Sequence, residues 1–144
     1  MLRVGSTMTL EAWDDRFKPN QDWNHPWGAA PANIVARYVL GVLPLEPGFR
    51  KVLIRPQPAS LREASGTVPT IRGPIRVSFK NEADGPFALN LDIPVNVTAR
   101  VELPGPHRPS AKVIVDGKES TVPVREGCVF VLELGSGTHA LTRE

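Results

Sequence analysis

Residues 87–103 read F-A-L-N-L-D-I-P-V-N-V-T-A-R-V-E-L. In Phe87–Ile93 and again in Val95–Leu103, apolar residues occupy every second position. A period of two sends alternate side chains to opposite faces of a strand, so both segments are predicted to be strands with one buried face. The inward-facing set is predicted to begin at Phe87 in the first strand and at Val95 in the second. Pro94, which cannot donate a ladder hydrogen bond, separates them.

Similar short runs lie on both sides of this segment. They are Lys51–Arg55, the less regular Leu61–Ile71, Ile75–Lys80, Lys112–Val115, Thr121–Val124, Val129–Leu134 and Thr138–Leu141. Asp116-Gly117 predicts a hairpin turn between two of them, and Gly135-Ser136-Gly137 predicts a second hairpin. About eight short strands with regularly spaced turn signals predict a mainly β fold, an antiparallel β-sandwich.

A different pattern precedes the strands. Apolar residues predict one helix from about Ala29 to Leu40, with Pro31 in its first turn and Gly41 as its stop signal. Only Asn33 and Arg37 are polar in this helix, so it is predicted to need cover on most sides. We expect a domain boundary at about residue 45, with a loop and helix in residues 1–45 and the sandwich in residues 46–144.

The composition limits the function classes. The 144 residues carry 17 basic and 15 acidic side chains, a net charge of +2, which does not indicate a nucleic-acid or membrane partner. No apolar run approaches the roughly 20 residues that span a bilayer. The single cysteine, Cys128, excludes an internal disulfide and a thiolate metal site, and is expected to be a small buried residue. The cellular compartment stays open.

Residues 7–28 read T-M-T-L-E-A-W-D-D-R-F-K-P-N-Q-D-W-N-H-P-W-G and contain all three tryptophans. They show no helical or strand period, and long ordered loops are often functional. Indole faces beside carboxylates are suited to a sugar site, because pyranose C–H groups pack on the rings and carboxylates bind hydroxyls. The alternative is that the three tryptophans build a small core.

Taken alone, Glu11 and the Asp14-Asp15 pair indicate acid–base chemistry only weakly, since neighbouring acidic residues usually form a solvated face. A lone histidine such as His25 is more often structural than a ligand. The chain contains no G-x-S-x-G, no glycine-rich phosphate loop and no H-E-x-x-H. The residues therefore predict no cofactor and no metal site.

The order of these features resembles the C-terminal end of bacterial α-L-rhamnosidases, glycoside hydrolases of family 78 built on an (α/α)6 barrel. The features are T-M-T-L-E-A-W, D-W-N-H-P-W-G, a helix, P-L-E-P-G-F-R-K-V-L-I-R-P-Q-P and a β-sandwich. The resemblance covers essentially the whole chain and is most specific over residues 5–58. It implies that the N-terminal loop and helix are the end of the barrel.

The resemblance also implies roles for individual residues. Glu11 matches the general base that activates water for an inverting hydrolysis. Trp13 matches the aromatic wall of the rhamnose pocket, where the methyl group of a 6-deoxy sugar favours an apolar surface. His25 matches a histidine that contacts sugar hydroxyls, with Asn24 and Trp27 in supporting roles. The implied partner is a rhamnose-containing carbohydrate.

The general acid of the family lies upstream of this segment, and an inverting enzyme needs both carboxyl groups. We therefore expect a fragment of an α-L-rhamnosidase that supplies the base and is inactive alone. Two alternatives are a β-sandwich that binds carbohydrate by itself and a structural domain that caps the barrel. Phe79, Phe87 and Phe130 lie in inward registers, which argues against sugar binding on the sandwich. Apolar surface on the helix predicts self-association.

Overall fold

The computed structural model describes residues 5–6, 8–82, 85–105, 110–125 and 127–144. Short helical elements precede the sheet: a 3₁₀ turn (Pro26–Ala29), helix α1 (Ala30–Ile34), a π-helical turn (Val35–Val39) and a 3₁₀ turn (Pro47–Phe49). The strands are β1 (Val42–Pro44), β2 (Lys51–Ile54), β3 (Glu63–Val68), β4 (Ile75–Asn81), β5 (Phe87–Ile93), β6 (Thr98–Pro104), β7 (Ser110–Val115), β8 (Lys118–Arg125), β9 (Cys128–Leu134) and β10 (Gly137–Arg143). The predicted mainly β fold is confirmed.

The strands are hydrogen-bonded in the order β1-β2-β6-β9-β8-β7-β10-β5-β4-β3. Strand β8 joins the two halves of this order, since it pairs with β7 along most of its length and with β9 at Val124 and Arg125. The neighbours pair antiparallel except β2 and β6, which are parallel. Both halves contribute to a single core, as in a sandwich.

The hairpin predicted at Asp116-Gly117 is confirmed, with Asp116 at φ +49° and Gly117 at φ +79° between β7 and β8. The second predicted hairpin, at Gly135-Ser136-Gly137, is wrong. Strand β9 pairs with β6 and β8, whereas β10 pairs with β5 and β7. The short link therefore carries the chain from one half of the sandwich to the other, because each strand satisfies its backbone groups with partners distant in sequence.

Strand β5 has the predicted bounds, but β6 begins three residues later than predicted. Asn96 adopts a left-handed conformation with φ +61°, which turns the chain before the strand starts. Val95 is consequently 73% exposed rather than inward-facing, while Val97 is buried. Alternation continued across the turn, so the pattern did not reveal where the strand begins.

The core is formed by the alternating positions of the central strands. Phe79 and Phe87 stack inside it with ring centroids 5.5 Å apart. Full burial of a side chain of this size contributes about 1.5–3 kcal/mol relative to leaving it exposed. The largest fully buried side chains are Phe87, Ile54, Ile75, Leu89, Leu91, Leu103, Leu141, Val52, Val77, Val97, Val101 and Val113.

One carboxylate is buried at the edge of this core. Glu102 accepts hydrogen bonds from Arg100 Nε at 2.8 Å and from Arg55 Nη1 at 3.4 Å, so its charge is compensated by two guanidinium groups. Cys128 Sγ lies 4.0 Å from Glu102 Oε2. The cysteine is half-buried rather than buried as expected, since it opens β9 beside this polar group.

The predicted helix from Ala29 to Leu40 is only partly correct. Helical residues run from Pro26 to Val39, but only Ala30–Ile34 is α-helical. β-Branched residues within this run lower its helix propensity. Gly41 follows with φ +76°, as expected for a residue that ends a helix. Ile34 is 51% exposed and Tyr38 44% exposed, so these apolar side chains lack cover within the described residues.

The chain divides into two compact units, Met1–Val35 and Ala36–Glu144. The first unit contains the tryptophan-rich segment, and the second contains the strands. Among the described residues, no helix has the length and apolar character needed to cross a membrane.

Candidate functional site

Backbone hydrogen bonds join two segments of the first unit. The His25 N–H donates to the Thr9 carbonyl oxygen at 2.8 Å, and the Glu11 N–H donates to the Asp22 carbonyl oxygen at 3.0 Å. The Thr9 hydroxyl also donates to the carbonyl oxygen of His25 at 2.8 Å. These bonds place the segment T-L-E next to the segment D-W-N-H, although the two are separated by ten residues of loop.

Gly28 closes this arrangement by close packing. A Cβ atom at residue 28 would lie 2.6 Å from the Leu10 carbonyl oxygen and 2.8 Å from Thr9 Cβ. Real Cβ atoms do not approach backbone oxygens so closely, so any other side chain would push the two segments apart. The glycine of N-H-P-W-G is therefore required by the contact with T-L-E.

The loop between the segments is ordered by turns. The Phe17 N–H donates to the Asp14 carbonyl at 3.0 Å, and the Gln21 N–H donates to the Lys18 carbonyl at 3.1 Å. The Gln21 side-chain oxygen accepts from the Ala12 N–H at 3.1 Å, which ties the end of the loop to its beginning. Together these bonds fold the loop back over its own stem.

The Glu11 side chain is only 7% exposed. Its Oε1 contacts the Lys18 ammonium, and its Oε2 accepts a hydrogen bond from the Asp22 N–H at 3.0 Å. His25 Nε2 lies 3.9 Å from Oε1. The hydrogen bond from Lys18, followed by that from the Asp22 backbone, lowers the pKa of Glu11 below its ordinary value of 4.5. Glu11 is thus a carboxylate at neutral pH.

His25, which lies near the Glu11 carboxylate, also packs against Trp27. The rings of His25 and Trp27 have centroids 4.4 Å apart and are tilted by 35°. His25 Nδ1 is buried and has no hydrogen-bond partner among the described residues. Trp13 is 95% exposed, and Asn24 is exposed beside His25. The structure brings Glu11, His25 and Trp27 together and leaves Trp13 in solvent.

The other carboxylates of the segment serve local purposes. Asp14 accepts a hydrogen bond from the Arg16 N–H at 3.1 Å, and Asp15 accepts one from Gln21 Nε2 at 2.6 Å. Trp23 is exposed, and its carbonyl oxygen accepts from Ser6 Oγ. These contacts explain the ordered loop and assign neither aspartate an acid–base role.

Sequence reasoning missed Lys18. It stands seven residues after Glu11 in a segment without periodicity, so no pattern predicted their contact. The signal is three-dimensional, since it arises only when the turns of the loop return residue 18 to the stem.

Glu11, Asp22 and His25 each offer one potential metal-ligand atom, and these atoms lie within 4.8 Å of one another. The Lys18 ammonium already contacts Glu11 Oε1 from within the chain. A cation at the same oxygen would be repelled by that ammonium. We therefore treat the group as an ion-pair network rather than as a metal site.

Comparison with known proteins identifies similar chains. Residues 41–118, more than half of the chain, match the family described as bacterial alpha-L-rhamnosidase C-terminal domain. An alpha-L-rhamnosidase of Streptomyces avermitilis is 30% identical over 147 residues, covering 96% of this chain and 14% of the relative. An alpha-L-rhamnosidase of Alteromonas sp. is 34% identical over 106 residues, covering 68% of this chain and 11% of the relative.

A solved structure is also similar. The crystal structure of the Streptomyces avermitilis alpha-L-rhamnosidase complexed with L-rhamnose has a TM-score of 0.73 and 29% identity, over 98% of this chain and 14% of that chain. Because the similarity covers 98% of this chain, it includes residues 5–35 as well as the sandwich. The chain spans about one seventh of that enzyme.

Proposed function

The chain belongs to the family of bacterial alpha-L-rhamnosidase C-terminal domains, and on that premise we propose that it forms the C-terminal region of an α-L-rhamnosidase acting on terminal α-L-rhamnosides. The similarity to the Streptomyces avermitilis enzyme over 96% of the chain supports this proposal. In this proposal residues 1–45 are the end of a catalytic (α/α)6 barrel, and residues 46–144 are the sandwich that follows it.

Glu11 acts as the general base in this proposal. A base must be ionised to accept a proton, and the lowered pKa of Glu11 keeps its carboxylate ionised at neutral pH. This is the observation that carries the assignment: a nearly buried carboxylate, ionised and fixed through both oxygens, stands beside a histidine. The carboxylate would activate the water that attacks the anomeric carbon and inverts its configuration.

The neighbouring residues are suited to a sugar. His25 would contact hydroxyl groups, and Trp27, whose ring lies against His25, would fix the orientation of the imidazole. Trp13, with its indole exposed, would supply an apolar surface for the methyl group of rhamnose. Asn24, exposed beside His25, would add a hydrogen-bonding group at the rim.

The general acid is assigned to no residue of this chain. In an inverting glycosidase the two carboxyl groups stand roughly 6.5–9.5 Å apart across the scissile bond. Asp14 and Asp15 are engaged in hydrogen bonds of the loop and make poor candidates. We therefore propose that the 144-residue chain alone has no hydrolytic activity, and that its base completes a site whose acid lies elsewhere in the parent enzyme.

The test is Glu11→Gln in the parent enzyme, because glutamine keeps the shape of the side chain and cannot act as a base. Removing a general base should lower kcat/KM for an aryl α-L-rhamnoside about 10²–10⁴-fold. Asp15→Asn, which removes a neighbouring charge from the same loop, should leave kcat/KM unchanged. Inversion predicts that the first product seen by NMR is β-L-rhamnose. Full activity in Glu11→Gln would contradict the assignment.

A second experiment addresses the isolated chain. It should not hydrolyse the aryl rhamnoside, and activity abolished by Glu11→Gln would overturn the proposal that the chain is inactive alone. Titration with L-rhamnose, followed by tryptophan fluorescence with D-glucose as control, asks whether the subsite survives. A saturable response to rhamnose alone would support a preformed subsite around Trp13 and Trp27, and no response would support a purely structural role.

The sandwich offers little support for carbohydrate binding of its own. Phe79 and Phe87 are buried, and the side chain of Phe130 lies outside what the structure describes. Capping of the barrel is the better second candidate.

The exposed apolar residues Ile34, Val35 and Tyr38 support self-association of the isolated chain. Sedimentation should show a dimer that Ile34→Lys with Tyr38→Lys returns to monomer, and an unchanged monomer in the unmutated chain would contradict this.

A further inference from the structure

Among the described residues, Lys18 is the charged group closest to the proposed base. Its ammonium contacts Glu11 Oε1, while the Asp22 N–H donates to Oε2 at 3.0 Å. One donor is a side chain that reaches back across the loop, and the other belongs to the stem. The carboxylate is therefore held from two directions, which fixes its rotation as well as its position.

With these two donors bound, the Glu11 carboxylate can still accept a hydrogen bond from water. A carboxylate offers about four lone-pair sites on its two oxygens, so Lys18 and the Asp22 N–H use half of them. The remaining sites can accept a hydrogen bond from water, and charge-assisted bonds to the first two keep the acceptor direction constant. A glutamate held at one point only would sample several rotamers.

Other charged groups face Glu11 as well. His25 Nε2 lies 3.9 Å from Oε1, and a carboxylate oxygen of Asp22 lies within 4.8 Å of the Glu11 and His25 atoms. A protonated His25 would favour the ionised base, whereas the Asp22 carboxylate would oppose it. Arg16 lies in the same loop, but its ion-pair partner is Asp14, at 3.9 Å. Of the cationic side chains that the structure describes, Lys18 is the one in direct contact with Glu11.

We infer that Lys18 is a positioning residue, which holds the Glu11 carboxylate in the one orientation from which it can accept a proton from the attacking water. The inference rests on the proposed function of Glu11 as base. Lys18 is not a catalytic residue in this account, since it acts on the substrate only through Glu11. Its hydrogen bond is the largest cause of the lowered pKa of Glu11, which agrees with the geometry.

The decisive measurement is the titration of the Glu11 side-chain carboxyl carbon by ¹³C NMR in the 144-residue chain. Lys18→Met removes the ammonium and keeps a side chain of similar length, so the Glu11 midpoint should move upward. Lys18→Arg retains a cationic donor and should preserve the low midpoint. Arg16→Met removes the same charge from the same loop without touching Glu11, and should leave the midpoint where it is.

The outcomes separate two questions. If Lys18→Met leaves the midpoint unchanged, or if Lys18→Arg raises it as much as Lys18→Met does, Lys18 does not hold the base and the inference is overturned. The tryptophan emission of each variant shows whether the segment is still folded. If Lys18→Met does not fold, the midpoint of Lys18→Arg decides whether Lys18 holds the base, and a raised midpoint in Lys18→Arg overturns the inference.

The parent enzyme then tests the role in catalysis. The acidic limb of its kcat/KM profile reports the pKa of the free base, and should move upward in Lys18→Met together with the NMR midpoint. If the NMR midpoint moves but the acidic limb does not, Lys18 holds Glu11 while Glu11 is not the base. That result would overturn the proposed function and this inference with it, whereas the NMR result alone addresses only the contact.

Discussion

Gly41→Ala should destabilise the sandwich far more than a surface substitution does. Gly41 lies between the helical residues and β1 with φ +76°, a conformation that L side chains rarely adopt. A Cβ atom at residue 41 would lie 2.1 Å from both the carbonyl carbon and the carbonyl oxygen of Arg55. These are backbone atoms, so no side-chain rotation can relieve the overlap.

The expected loss in the free energy of unfolding of Gly41→Ala has three parts. The left-handed conformation costs a non-glycine residue about 1–2 kcal/mol. Overpacking costs about 1–3 kcal/mol when backbone has to shift. The shift also threatens the hydrogen bond from the Arg55 N–H to the Gly41 carbonyl oxygen, at 2.9 Å, which contributes about 0.5–1.5 kcal/mol. We expect the free energy of unfolding to fall by about 2–5 kcal/mol, allowing the last two parts to overlap.

Gly117→Ala is the matched control. Gly117 has nearly the same φ, +79°, but among the described residues no atom lies within 4 Å of the position its Cβ would take. Only the conformational cost of about 1–2 kcal/mol should remain. The difference between the two variants therefore measures the contact with Arg55.

Urea unfolding followed by far-UV circular dichroism is the suitable assay. All three tryptophans lie in residues 13–27, so their fluorescence reports on the first compact unit rather than on the strands. If Gly41→Ala and Gly117→Ala lower the free energy of unfolding equally, the packing of residue 41 against residue 55 has no measurable effect, and the larger cost expected for Gly41→Ala is refuted.

Three other substitutions test other parts of the chain. Phe87→Ala removes a fully buried ring that stacks on Phe79 and should cost about 3–5 kcal/mol by the same urea assay; a cost below about 1 kcal/mol would contradict the packing. The lowered pKa of Glu11 means that its contacts stabilise the first unit above pH 4.5 and are lost as the pH falls through the folded-state pKa. Acid titration of tryptophan emission should show this transition, and Glu11→Gln should remove it. Asp116→Asn weakens the contact with His139 Nδ1, at 2.8 Å, and should lower stability by about 0.5–1.5 kcal/mol at neutral pH. Because the pKa of Asp116 is also lowered, through its hydrogen bond with His139 first, the difference between wild type and variant should shrink below pH 3.8, and a difference independent of pH would contradict the role of that hydrogen bond.

Local patterns predicted the strands well and their partners poorly. Alternation gave β5 its bounds because every second residue from Phe87 to Ile93 is buried against one core. The glycine-rich link Gly135-Ser136-Gly137 after β9 predicted a hairpin, because turn residues indicate only that the chain turns and not which strands pair. Which strands then pair is decided by the distant partners of β9 and β10, and a local pattern contains no record of them.

The candidate site was predictable in part. The positions of Glu11 and His25 followed from the resemblance of two short motifs, and the structure joins those motifs through Thr9 and Asp22. The contact of Lys18 with Glu11 was not predictable, since it depends on the path of an aperiodic loop. Long-range contacts made by loops have no sequence period, so reasoning from periodicity does not reach them.

The strand order has a consequence for how the chain behaves in concentrated solution. Its two terminal strands, β1 and β3, have one edge each that no described strand covers. Strand β1 has three residues and ends in Pro44, which lacks an N–H group, so it is a poor template for another chain. Strand β3 has six residues, with Glu63 as its charged residue. Edge-to-edge aggregation should therefore begin at β3, and Ser65→Lys would protect that edge by placing a charge on it.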